Sequence, residues 1–229
     1  MSPGPGERSD AEAAAWGYPS PGESRWPAAG AVLMALIIYV RLPDRLTPGP
    51  QYLVPVLELV LLIPLMIASP TRITRESKDL RWLSISLIAL TNAANAGSLI
   101  LLVRFLLLGG RADGRTLIQA GVGIWMTQIL VFALWYWEVD RGGPAARCSV
   151  DHAPPDLLFP QMETAAVTAG QWAPRFWDYL YVSLTNSSAF SPTDTMPLTV
   201  RAKMIMAGQS LVSLTTVAIV GARAVNILS

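Results

Sequence analysis

One cysteine, Cys148, and one histidine, His152, are all that 229 residues hold of either type. A single cysteine excludes an internal disulfide, and one Cys with one His cannot supply the four protein ligands of a mononuclear zinc site. The same scarcity leaves His152 without an orienting partner for nucleophilic chemistry with Cys148. Charge is sparse as well: charged residues make up 14% of the chain and the net charge is +1, so no electrostatic footprint for nucleic acid exists. A phosphate-binding loop, a nucleophile elbow, paired intramembrane carboxylates and an internal repeat are also missing. We therefore expect no catalytic, cofactor-binding or metal-ligating set, no cofactor, no nucleic-acid partner and no enzyme activity.

What the chain has in abundance is apolar sequence. It is 52% hydrophobic with a mean hydropathy of +0.40, a balance that belongs to a polytopic protein of the cell membrane whose first partner is the lipid bilayer. Met1 to Arg25 is rich in Gly, Pro, Ser, Ala and Glu, has no basic region ahead of the first apolar run, and is expected as a disordered tail rather than a cleaved signal. Residues 26–139 are expected to form four membrane helices. The first apolar run, Ala28 to Val40, is short for a crossing and is flanked by Trp26 and Tyr39 as interface anchors. Tyr52 to Ser69 carries Pro55, Glu58 and Pro64. A carboxyl inside a span is costly and must face protein or a hydrated cavity, which makes Glu58 either a buried acid or part of an ion path.

Arg72, Arg75, Lys78 and Arg81 form the densest basic cluster in any short connection, which the positive-inside rule assigns to the cytoplasm. Trp82 to Leu108 follows, with a small polar middle from Thr91 to Ser98 that includes Asn92 and Asn95, the composition of close helix packing. Arg104 lies near its end, where it can snorkel to the interface or pair with Glu58. Thr116 to Val139 ends in the aromatic belt Leu134-Trp135-Tyr136-Trp137. Residues 140–175, rich in Gly, Pro and Ala, read as an extramembrane loop. Thr199 to Leu228 is the last span.

Ahead of that span runs Asp178 to Arg201, D-Y-L-Y-V-S-L-T-N-S-S-A-F-S-P-T-D-T-M-P-L-T-V-R. An aromatic segment too short to cross a bilayer leads into small hydroxyl residues, an acid and a proline. This order resembles the pore loop of tetrameric potassium channels, whose bacterial members commonly read D-x-L-Y-F-S and close in T-V-G-Y-G-D-x-x-P-x-T. Asp178, Leu180, Tyr181 and Ser183 match the start, and Asp194, Pro197 and Thr199 match the close. Where the family has T-V-G-Y-G, this chain has Ala189, Phe190, Ser191, Pro192 and Thr193. Without the two glycines, and with Pro192 fixing its own φ, a potassium filter of the usual kind is excluded.

The same tail, with L-Y-V-S-L-T, S-P-T-D-T and A-V-N-I-L, also resembles an uncharacterised family of small bacterial integral membrane proteins that end F-L-Y-F-S-F-T, V-S-D-T and V-N-L. That resemblance implies a membrane fold and no activity.

The expected fold is thus all-α: a polytopic bundle of about five transmembrane helices, plus a short re-entrant pore-like helix in 176–229. The channel resemblance implies a homo-oligomer of four subunits with Ser187, Ser188, Ser191, Thr193 and Asp194 along a weakly selective ion path. Glu58, Asn92, Asn95 and Arg104 are the intramembrane polar residues. A non-conducting scaffold or partner subunit, and a small secondary transporter using Glu58, Asn92 and Asn95, remain alternatives. Phe176 to Phe190 as a full sixth span would rise only about 22 Å, short for a crossing. A re-entrant helix puts the Arg72 to Arg81 loop and the C-terminus on opposite sides of the membrane, and the potassium-channel orientation then conflicts with the positive-inside assignment.

Overall fold

The computed structural model describes residues 19–68, 73, 77–109, 113–149, 152–164, 172–188 and 194–228, with side chains as far as Ala222. The chain is mostly helical: α1 (Trp26–Val40), α2 (Leu53–Ala68), α3 (Lys78–Leu107), α4 (Gly114–Val139), α5 (Pro160–Glu163), α6 (Phe176–Ser188) and α7 (Val200–Leu228). The two-residue strands β1 (Leu157–Leu158) and β2 (Met196–Pro197) pair antiparallel. Three stretches are long and apolar enough to cross a membrane, Lys78–Leu107, Gly114–Gly142 and Val200–Ala222. Helices α1 and α2 are apolar but shorter.

Helix α4 is the post on which the others lean. Asp113 caps its start by accepting from the Thr116 N–H at 3.3 Å. Its second half is buried nearly all round, from Thr127 through Glu138, because α1, α3, α6 and α7 all pack on it. Helix α1 can lie close because its buried face is built from Ala28, Ala29, Ala31, Val32 and Ala35. Glycine on α4 does the same work from the other side: a Cβ at Gly121 would collide with Val220 Cγ2 of α7. On α3 the inward face repeats every three or four residues, Ser84, Leu87, Ile88, Thr91, Ala94, Asn95, Ser98 and Leu102, as a helix buried on one side requires. Gly97 lies against the Pro48 ring of the α1–α2 turn.

The two ends of the bundle differ. The far end carries the α1–α2 turn, where the Arg45 guanidinium sits over the Phe105 ring. The other, called the cap here, gathers the starts of α1, α3, α6 and α7 and the end of α4. Most of the turn-rich segment after α4 packs there. Ser20 N–H donates to Arg147 O, Glu23 pairs in a β-bridge with Ile73, and Leu198 N–H donates to Asp156 O.

Two expectations change here. Pro19 to Arg25 is not part of a disordered tail: Ser20, Glu23 and Arg25 are buried. The reason is electrostatic, since the Glu23 carboxylate meets the Arg147 guanidinium at 2.9 Å and accepts from Trp137 Nε1 at 2.6 Å. The segment 140–175 is likewise more than a loop in its described parts, with Asp140, Arg141, Arg147 and Asp156 all buried.

Breaking a buried ion pair strands the remaining charge, at a typical cost of about 3–5 kcal/mol. Arg147 also donates to Trp137 O and Asp140 O, so Glu23→Ala is expected at the lower end, about 3 kcal/mol. Ser24→Ala, at an exposed neighbour, is the control, expected within about 0.5 kcal/mol of the parent. Thermal unfolding in detergent measures both, and equal melting of the two variants would remove the Glu23 pair from the account of the cap.

Candidate functional site

Helix α6 starts at the cap, where the Asp178 carboxylate accepts from the Arg175 N–H at 2.7 Å and ties down the first turn. Phe176, Tyr179, Val182, Ser183 and Ser187 form its buried face, while Trp177, Tyr181 and Leu184 point outward. Helix α7 also starts at the cap, and the two run side by side in the same direction. The pairing is polar. Gln209 Nε2 lies 2.9 Å from Ser183 O and 2.7 Å from the hydroxyls of Ser183 and Ser187. Its Oε1 accepts from Asn186 Nδ2 at 2.9 Å and from the Tyr136 hydroxyl of α4. Its backbone carbonyl accepts from Gln128 Nε2 at 2.8 Å. One turn on, the Ser213 hydroxyl donates to Ser187 O and accepts from Trp125 Nε1 at 3.0 Å.

One amide thus joins three helices. Ser213 lies thirteen residues beyond Val200, or about 20 Å along α7. Helix α6 therefore stops deep in the bundle beside Ser213, and the described chain resumes at Asp194, two residues before β2 at the cap.

The residues expected along an ion path are not all brought together. Ser187 is buried, its hydroxyl taken up by Gln209. Ser188 is half-buried and donates to Thr185 O in its own turn. Asp194 is exposed at the cap. Ser191 and Thr193 lie outside the described residues, as does the rest of 189–193. Of the intramembrane polar residues, Glu58 is 1% exposed and lies beside Thr91. Asn95 is buried, Asn92 half-buried and Arg104 exposed. Among the described residues no ion pair joins Arg104 to Glu58, because the arginine turns outward.

Above α6 the cap closes around Arg147. Burial works against its charge, but Tyr179, Glu23 and Asp140 outweigh that and its pKa stands above the ordinary value. The guanidinium sits over the Tyr179 ring, 5.1 Å from its centroid. Asp140 accepts from the Tyr179 hydroxyl at 2.6 Å and from Asp156 N–H at 2.9 Å. Asp156 in turn accepts from Arg201 at 2.7 Å and from the Thr199 hydroxyl at 2.6 Å, which fixes the start of α7. Arg141 is fully buried in the left-handed region at φ 54°, with Nε 3.8 Å from Asp140.

Cys148 donates weakly to Ile73 O at 3.4 Å, and burial, then Glu23, push its thiol pKa up. Among the described residues no group of three or more His, Cys, Asp or Glu is arranged to hold a metal.

Gln209 and Glu23 are absent from the sequence reading. A lone Gln in an apolar helix and a Glu in a Gly- and Pro-rich leader carry no local signal; only the partners across the fold give them a role.

Replacing Gln209 by Leu leaves Tyr136, Asn186 and the two serines without their shared partner. Hydrogen bonds between membrane helices average about 0.6 kcal/mol each, so a loss of about 2 kcal/mol is expected. Hydrogen exchange should show it as faster exchange along α6 with α1 to α3 unchanged; uniform exchange in parent and variant would mean that α6 is held by other contacts.

No family model matches the chain, and no curated protein and no solved structure matches it.

Proposed function

We propose that this is a channel-like protein of the cell membrane with little or no potassium selectivity. In this reading α1, α2, α3, α4 and α7 cross the bilayer, while α6 enters from the cap side and the chain returns to that side. The observation that carries it is the parallel course of α6 and α7: both begin at the cap, α6 ends beside Ser213, and Met196 is back at the cap against Leu158. Two consecutive helices that run the same way, joined by a stretch this short, fit a re-entrant segment and not a sixth crossing. Helix α4, α6 and α7 then correspond to the outer, pore and inner helices of the channel resemblance.

The conflict with the potassium-channel orientation persists once bases are sorted by end. The described bases at the far end are Arg41, Arg45, Arg104 and Arg115. At the cap the described bases are Arg25, Lys78, Arg81, Arg141, Arg147, Arg175, Arg201 and Lys203, twice as many. The positive-inside rule, which counts bases, then favours the cap, with Asp194, as cytoplasmic, so the hairpin would be inverted relative to a potassium channel.

Helix α7 exposes Val200, Met204, Leu211, Leu214 and Val217, an apolar face open to lipid or to neighbouring subunits. Four copies about an axis, with Asp194 as an acidic ring, would pass cations with weak discrimination. The second reading, a non-conducting scaffold or partner subunit, draws on Ser187, which spends its hydroxyl on packing.

Reconstituted in liposomes, the protein is expected to carry a cation flux that falls several-fold in Asp194→Asn, as loss of an acidic ring should weaken cation entry. A flux indifferent to every substitution from Ser187 to Asp194 would favour the scaffold. Topology is checked separately: single cysteines in a Cys148→Ser background, one in the Arg72 to Arg81 loop and one at the C-terminus, should react with an impermeant reagent from opposite faces. Reaction of both from one face would end the re-entrant reading.

A further inference from the structure

Helix α2 packs on α1 and α3, and one acid lies in that seam. Glu58 is 1% exposed, and its Oε2 has no hydrogen-bond partner. Two buried hydroxyls stand near it. Tyr39 of α1 is close enough to feel the charge of a carboxylate there, and its phenolic oxygen is likewise unpartnered. Thr91 of α3 lies beside the carboxyl, and its single hydroxyl proton is already given to Leu87 O at 3.0 Å. What Thr91 offers Glu58 is therefore a lone pair, which a carboxylic acid can use and a carboxylate cannot.

The charged groups of the packed elements are all far from this depth. Tyr39 is the one ionisable residue of α1. On α3, Lys78, Asp79 and Arg81 sit at the cap, with Arg81 ten residues or about 15 Å before Thr91. Arg104 lies thirteen residues or about 20 Å beyond Thr91 and is exposed. Arg41, Asp44 and Arg45 belong to the α1–α2 turn at the far end, where Arg45 covers Phe105. Thr91 stands at the middle of α3, so an ionised Glu58 would be a charge without a counter-ion at the depth where hydrocarbon tolerates it least.

We propose that Glu58 is a proton-binding site, and that the bound proton fastens α2 to α1 and α3. In the acid form the O–H of Glu58 donates to Thr91 Oγ1, and the Tyr39 hydroxyl supplies a donor for the other oxygen, so the three groups satisfy one another without net charge. Loss of the proton leaves a carboxylate facing Thr91, whose hydroxyl would have to abandon Leu87 O to answer it. Helix α2 is the element placed to respond, because its opposite side, with Val56, Leu59, Val60 and Ile63, is exposed. The inference rests on the membrane reading above but not on conduction.

The test is infrared difference spectroscopy of the full chain in liposomes, between mildly acidic and mildly alkaline pH. At the acidic end the parent should show the carbonyl band of a protonated carboxyl that is lost in Glu58→Gln and kept in Glu163→Gln, an exposed acid of α5. Thr91→Val should move that band and Thr91→Ser should restore it. Should Glu58→Gln fail to fold, judged by circular dichroism, the band shift between the two Thr91 variants carries the assignment. Hydrogen exchange along α2 reads the fastening: Gln is neutral at every pH, so the rate in the parent divided by the rate in Glu58→Gln removes the intrinsic pH dependence of exchange. That ratio should climb with pH, by up to about tenfold per unit, the limit for one proton. A band indifferent to Glu58→Gln and to Thr91→Val would overturn the proton site, and a ratio flat across the pH range would overturn its hold on α2. Loss of the band on adding sodium at constant pH and ionic strength would overturn the proton assignment in favour of an alkali cation. Flotation of the liposomes with the protein, followed independently, separates failure of the site from failure of the membrane reading.

Discussion

Arg147 is the contact through which the cap becomes one body. Its guanidinium reaches Glu23 from the N-terminal segment and the carbonyls of Trp137 and Asp140 at the end of α4, and lies over the Tyr179 ring of α6. Isolated charges this deeply buried would cost several kcal/mol each, so they are tolerable only as a set. Around Arg147 that set is complete: Glu23 supplies the counter-charge, and Asp140, tied by Tyr179 and two backbone N–H groups, needs no further partner. Removing any one member exposes the rest to the full desolvation penalty. Hence the N-terminal segment, the end of α4 and the start of α6 hold or loosen together.

Helix α6 is thereby fixed twice, by different physics at its two ends. At the cap it is held by charge, through Tyr179 and Asp178. Deeper, it is held by neutral hydrogen bonds to Gln209, Ser213 and the Ile129 carbonyl. The second set is the weaker per bond, because a polar group in lipid finds substitutes when its partner is lost. Its strength lies in number and in direction: bonds from α6 to both α4 and α7 leave the short helix no axis about which to roll. A 13-residue helix with an exposed Trp177 and Tyr181 on its outer side could not be oriented by apolar contact alone.

How much of this could be read beforehand follows from where the signals live. Hydropathy runs are local, so the expected spans fall within a few residues of α1, α2, α3, α4 and α7. The aromatic run from Phe176 likewise gave a short helix, found as Phe176–Ser188. Ser187 shows the limit. Its residue type suits an ion path, but it lies four residues from Ser183 and so shares the face turned toward Gln209. Glu23 is the opposite case: its surroundings predict disorder, and the residue that overrides them is 124 positions away. Composition averages over neighbours in sequence, whereas a buried ion pair is decided by neighbours in space. The polar middle of α3 is intermediate, since Thr91, Asn95 and Ser98 do face inward as expected, yet their spacing gives no hint that Glu58 of α2 sits beside Thr91.

Helix α7 shows the distribution of apolar and polar side chains most clearly. Only 17% of its most apolar window is buried, against 61% for α4, and its deep inward stripe is Gln209, Ser213 and Thr216, while Leu211, Leu214 and Val217 face out. In water that distribution would be upside down, with apolar surface exposed and hydrogen-bonding groups spent inside. It becomes stable where the solvent is hydrocarbon: apolar side chains lose nothing by facing lipid, and polar ones must find each other within the protein. The polar network around Gln209 and the bare outer face of α7 are thus two sides of one distribution, which is compatible with a membrane protein.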